Sequence, residues 1–117
     1  MSHPSSRRAQ LEGMLTENPR DVFLRYSLAL EQDKDGEHDE SLQALRALMA
    51  EGTPYVPAFF MAAKQLLRLS RIDEACATLR EGIAAAQSQN ERHAASQMAE
   101  MLSNLVRARM DGSASVR

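Results

Sequence analysis

The side chains that could do chemistry are few, and they stand apart. His3, His38 and His93 occur singly, without the Cys/His or His-x-x-x-His spacing on which a tetrahedral zinc site draws. Cys76 is the one cysteine, which excludes an intramolecular disulfide. It follows Ala75 with no adjacent run of cations to lower its pKa, and so reads as a packed thiol. Asp33-x-Asp35-Gly36-Glu37 has the outline of a calcium loop, but it is too short and lacks the closing Glu. There is no glycine-rich phosphate loop and no Gly-x-Ser-x-Gly turn. These residues point to a protein that is not an enzyme and holds neither cofactor nor metal.

Charge and hydropathy narrow the class further. The 117 residues carry a formal charge of −2, with Lys and Arg scattered among Asp and Glu, so there is no basic footprint for nucleic acid. Arg7-Arg8 is the only basic pair and reads as a solvated helix start. The first eight residues contain no apolar run of the kind a signal peptide needs. The longest apolar stretch, 55–63, is broken by Pro57 and cannot span a bilayer. A cytoplasmic protein without membrane contact is the expectation, and the lone cysteine fits a reducing compartment.

The elements that must position these residues are helices. Hydrophobic residues make up 44% and charged residues 26%, as in an ordinary globular domain, while aromatics are only 4% and Ala, Leu, Met, Gln, Glu and Arg dominate. Those residues lose least on entering a helix. Six helices can be drawn from start and stop signals. A leading helix spans 6–17. Asn18-Pro19 opens a second that ends near Gln32, before the polar turn at Gly36. A third covers 39–51, a fourth opens at Pro57 and runs to Leu69, and a fifth spans 73–86. The last spans 90–109, and residues 1–5 and 110–117 read as disordered ends.

Apolar residues recur along these helices with a 34-residue stride. Leu11, Leu45 and Leu79 form one series, Leu15, Met49 and Ile83 a second, and Met14, Leu48 and Gly82 run beside them. On its second and fourth helices the chain offers Phe23-x-x-Tyr26-Ser27-x-x-Leu30 and Phe59-x-x-Ala62-Ala63-x-x-Leu66. Ser41-x-x-x-Leu45 and Ala75-x-x-x-Leu79 follow, with Pro54 after the first. With these residues the chain resembles tetratricopeptide repeat (TPR) proteins over about 6–109. It departs from the family pattern at Leu48, a position usually kept small, and at Gln87, where Pro would end the unit. Phe23 and Phe59, matched by size, lie 36 residues apart, which places a two-residue insertion in the turn around 34–38.

The resemblance implies an all-α, right-handed α-solenoid of antiparallel helical hairpins in a single domain. It would consist of a leading helix (6–17), repeat one (19–52), repeat two (56–86) and a capping helix (90–109). Its function would be non-catalytic binding of a protein or peptide in a concave groove lined by the first helices of successive repeats. The groove positions are Leu24, Leu28 and Glu31 in the first repeat, and Phe60, Lys64, Leu67 and Arg68 in the second. Leu24, Leu28, Phe60 and Leu67 would form an apolar floor, with Glu31, Lys64 and Arg68 as a mixed rim. A carboxylate clamp of the kind some family members carry is poorly matched, since only Lys64 offers a charge from that set. The alternative is a self-associating structural subunit whose groove or end face is closed by another copy; the partner expectation is a monomer or weak homodimer.

Overall fold

The structure, a computed structural model, describes residues 6–116, with side chains placed as far as Asp111. Residues 1–5, His3 among them, lie outside the described residues. The described residues form six helices and no strand: α1 (Ser6–Glu17), α2 (Val22–Lys34), α3 (His38–Met49), α4 (Val56–Arg68), α5 (Ile72–Ser88) and α6 (Arg92–Val116).

The stride written in the leucines is also the stride of the backbone. From the start of α2 at Val22 to that of α4 at Val56, and from α3 at His38 to α5 at Ile72, the offset is the same 34 residues. Leu11, Leu45 and Leu79 are all buried, and Leu15, Met49 and Ile83 are all half-buried. Ser41 and Ala75, one stride apart, are both at 0% exposure, and the Ser41 hydroxyl donates to the Ala29 carbonyl at 2.5 Å. Small side chains at these places let paired helices approach closely.

The same stride corrects the expected insertion. The turns that close α2 and α4 are built alike. The Glu37 N–H donates to the Gln32 carbonyl at 2.9 Å, and the Arg71 N–H to the Leu66 carbonyl at 2.8 Å. A third turn repeats the bond after α5, Glu91 N–H to Ala86 carbonyl at 2.8 Å. In each turn one residue takes the left-handed conformation: Gly36 (φ 86°), Ser70 (φ 61°) and Asn90 (φ 59°). This is the Schellman closure, in which the first residue past the helix turns back to satisfy its last carbonyls. No extra pair of residues separates the first turn from the second. Phe23 and Phe59 are therefore not equivalent: Phe59 is buried at 3% whereas Phe23 is 59% exposed, and the small residue that matches Ala63 is Ala29, with both fully buried.

Helix boundaries differ from the expected ones for local reasons. α2 begins at Val22, not Pro19, because Asp21 is extended (ψ 114°) and its carboxylate accepts from the Leu24 N–H at 2.9 Å. Asn18-Pro19 instead forms the preceding turn, with the Asp21 N–H on the Asn18 carbonyl at 3.1 Å. α6 does not stop at Arg109 but continues to Val116, through the stretch expected to be disordered. A single glycine costs a helix only about 1 kcal/mol, so Gly112 does not end one that is already propagating.

Packing divides the chain into two compact units, one up to Ala58 and one from Phe59. Helical repeats pack chiefly on their neighbours, so compactness is local in such chains. In the first unit α1 packs on α2 and α2 on α3, and the buried apolar residues are Leu11, Ala29, Leu42, Leu45, Leu48, Val56 and Ala58. Tyr26 and Tyr55 meet edge to face with ring centroids 5.3 Å apart, tying α2 to the segment that leads into α4. In the second unit α5 packs on α6, around Phe59, Ala62, Leu66, Ala75, Cys76, Leu79, Ala95 and Met98.

Candidate functional site

Helical spacing on α4 places Phe60, Lys64 and Leu67 along one side of the helix. Phe60 is half-buried, and the Lys64 ammonium lies over its ring, 5.3 Å from the centroid. At that range the cation is attracted by the negative face of the ring, while the exposed lysine stays in water. Facing Phe60 across an open groove is a stripe of α6: Gln97, Met101, Asn104 and Ala108 at helical spacing, flanked by Glu100 and Leu105. The groove has a volume of about 490 Å³ and is lined mostly by apolar surface. Met98 on the neighbouring face of α6 is fully buried and anchors the helix, which leaves Met101 and Leu105 half-buried as the opposite wall.

The anchoring is tight at one point. A Cβ built on Gly82 of α5 would lie 2.6 Å from the Met98 sulfur and 2.6 Å from Phe59 Cβ, so α4, α5 and α6 converge on a glycine. Farther along, Asp73 at the start of α5 pairs with Arg109 of α6.

Of the seven expected groove residues, Phe60 lines this groove and Lys64 covers its ring. Half-buried Leu67 and exposed Arg68 follow on α4 but do not line it. Leu24 and Leu28 are half-buried on α2 in the first unit. Glu31 is not a rim residue. It is 6% exposed, with Arg7 Nε at 3.6 Å and Lys34 Nζ at 3.3 Å from its carboxylate. Two cations let a carboxylate occupy a position where the default is water.

Sequence reasoning missed Gln97, Met101, Asn104 and Leu105 as a wall of the groove. The signal was present: Met98-x-x-Met101-Leu102-x-x-Leu105 has the pattern of a repeat's first helix, and such helices line grooves. The carboxylates that outlined a calcium loop are engaged with other side chains instead. Asp33 lies 2.7 Å from His38 Nδ1, and Asp35 and Glu37 bind Arg8. Among the described residues no group of three or more His, Cys, Asp or Glu is placed to hold a metal ion, and Cys76 is buried. Among the described residues no helix is long and apolar enough to cross a membrane.

Solved structures of the same kind exist. The chain is similar to a tetratricopeptide repeat domain protein from Salinibacter ruber. Its solution structure matches with a TM-score of 0.70 at 28% identity, over 74% of this chain and 88% of that one. A crystal structure from the same organism matches at 0.66 and 27%, over 74% and 96%. The solution structure of a protein from Bordetella parapertussis matches at 0.72 and 25%, over 92% and 91%. No protein-family model and no curated protein matches the sequence. The chain has the TPR-like helical repeat fold. That fold is in general a protein-interaction scaffold, built to present a surface and not a reaction centre.

Proposed function

We propose that this protein is a non-catalytic binding module that seats an apolar side chain of a partner peptide or helix in the groove between Phe60 of α4 and the Met101–Leu105 stretch of α6. The observation that carries this reading is the groove itself. It is open and lined mostly by apolar surface, with the polar side chains Gln97, Glu100 and Asn104 in its lining and Lys64 over the Phe60 ring. A recognition site of this build gains affinity from one or two buried anchors, and the polar groups fix orientation. Leu24 and Leu28 on α2, in the first unit, are proposed as contact residues in their own right, on their half-buried exposure.

The test is affinity capture with the wild-type chain beside Phe60→Glu and Met101→Glu, with helicity and melting of each variant recorded. Loss of a partner in both variants, with melting unchanged, supports the groove. Retention of that partner by a folded Phe60→Glu places binding elsewhere. A second reading, self-association, is favoured by Val106 and Met110 of α6, which are 38% and 68% exposed. Light scattering separates the two, since a monomer across the micromolar range removes self-association.

A further inference from the structure

In the repeat register α1 is the odd helix. One stride separates Arg8 from Leu42 and a second separates Leu42 from Cys76, and both of those are buried, at 4% and 3%. Arg7 likewise stands where Ser41 and Ala75 are fully buried. Two arginines thus replace the residues that fasten α3 and α5. Of the twelve residues of α1 only Leu11 is buried, and Met14, the counterpart of buried Leu48, is 51% exposed. A helix of this length is marginal by itself in water, and one buried leucine is a small offset to the entropy of ordering it.

What holds α1 instead is charge. Arg8, whose side chain is 13% exposed, donates to both oxygens of Glu37 at 2.8 and 3.0 Å, to Asp35 at 3.0 Å and to Glu12 of its own helix at 3.3 Å. Asp35 and Glu37 belong to the α2–α3 turn. One stride on, their places are taken by Leu69 and Arg71, so this acidic turn is particular to the end that faces α1. Arg7 adds a contact to Glu31 of α2, which Lys34 shares, and nearby Asp33 lies within hydrogen-bond distance of the His38 ring.

We propose that α1 is an electrostatically latched helix, docked on the α2–α3 hairpin by the Arg8–Glu37/Asp35 cluster and able to release from it while the hairpin stays folded. The latch is a bidentate arginine–carboxylate fork, the ion pair with the best-defined geometry, yet it lies near the surface where salt screens it. Apolar contacts of the kind made by Leu42 and Cys76 have no such sensitivity. Docking of α1 is therefore more open to ionic strength than the α2–α3 contact, which carries the Arg25–Glu51 pair at 3.1 Å but rests on buried Ala29, Leu42, Leu45 and Leu48, and release bares the flank of α2 that α1 covers.

The test is hydrogen exchange on the full chain at about 0.05 M and about 0.5 M salt, across which the screening length falls from well above to well below 10 Å. The amides of α2 and α3 serve as internal reference. The expected result is that α1 amides exchange faster at high salt, by about fivefold or more, while those of α2 and α3 keep their protection. Arg8→Gln should show the fast α1 exchange already at low salt and no further salt response. Arg8→Leu, which restores the residue type found at position 42, should keep α1 protected at both salt levels. The proposal is overturned by α1 protection that ignores salt in the wild type. It is also overturned by a salt response that survives in Arg8→Gln, or by α1, α2 and α3 opening together.

Discussion

At the scale of single residues, the points that decide the packing are small ones. Gly82 is buried between Phe59 and Met98, and an added Cβ would fall 2.6 Å from Phe59 Cβ, which is fixed to backbone and cannot swing away. Gly82→Ala should therefore destabilise the second unit by about 1–3 kcal/mol through overpacking, although alanine is the better helix former. Urea unfolding of the variant checks this, and an unchanged or raised midpoint would mean that α4 and α6 separate more easily than their geometry suggests. The sequence marked Gly82 as in phase with Leu48 but not as a contact point, because a residue without a side chain gives no hydrophobic signal. Glu31 was hidden for the opposite reason. A carboxylate reads as solvent-facing until the cations that neutralise it, Arg7 and Lys34, are placed in space.

At the scale of elements, the turns carry the repeat. Gly36 and Ser70 hold the same left-handed position one stride apart, but only glycine does so without a steric cost from Cβ. Ser70→Gly should raise stability by about 0.5–1 kcal/mol, the gain in the folded state exceeding the added freedom of the unfolded chain. A fall in the urea midpoint would contradict this. Deleting Lys34 and Asp35 should be severe, since it removes the end of α2 and an Arg8 partner from a turn that has no residues to spare. Loss of the cooperative melt is the expected outcome, and a melting temperature within a few degrees of wild type would restore the idea of a two-residue insertion. Size misled here: Phe23 and Phe59 look equivalent, yet the hydrogen bonds of the two turns fix an offset of 34 and leave Phe23 exposed at 59%. The helices themselves were legible because Leu11, Leu45 and Leu79 are buried in step, whereas the groove wall on α6 was not. A helix assigned to shield a terminal face is not expected to present one, yet α6 buries Met98 and offers Met101 and Leu105 beside it.

At the scale of the whole molecule, stability should fall off on both sides of neutrality for nameable reasons. The Arg8 guanidinium, first by its hydrogen bond and then by its charge, holds the Glu37 carboxyl below its ordinary value. A depressed carboxylate contributes stability that is complete above the unfolded pKa and lost as pH falls through the folded one, so the loss sets in below about pH 4. Burial, and then the neighbouring Tyr55, push the Tyr26 phenol above its ordinary value. That contribution is complete below the unfolded value, about 10, and is lost as pH rises through the folded one. Urea midpoints measured across pH should show a plateau through neutrality, and a midpoint that rises on acidification from pH 5 to about 3 would contradict the sign derived for Glu37.

The central claim is that the molecule works by seating a partner in the Phe60–α6 groove, and a photo-crosslinking residue at Asn104 tests it most directly. Asn104 is exposed and lines the groove, whereas Ala77 is exposed on α5 and provides the control. The expected result is a discrete adduct with a second protein from position 104, absent from position 77 and abolished when Phe60→Glu is added to the position-104 variant. Adducts of equal yield from both positions, or an adduct from position 104 that persists beside Phe60→Glu, would contradict binding in this groove.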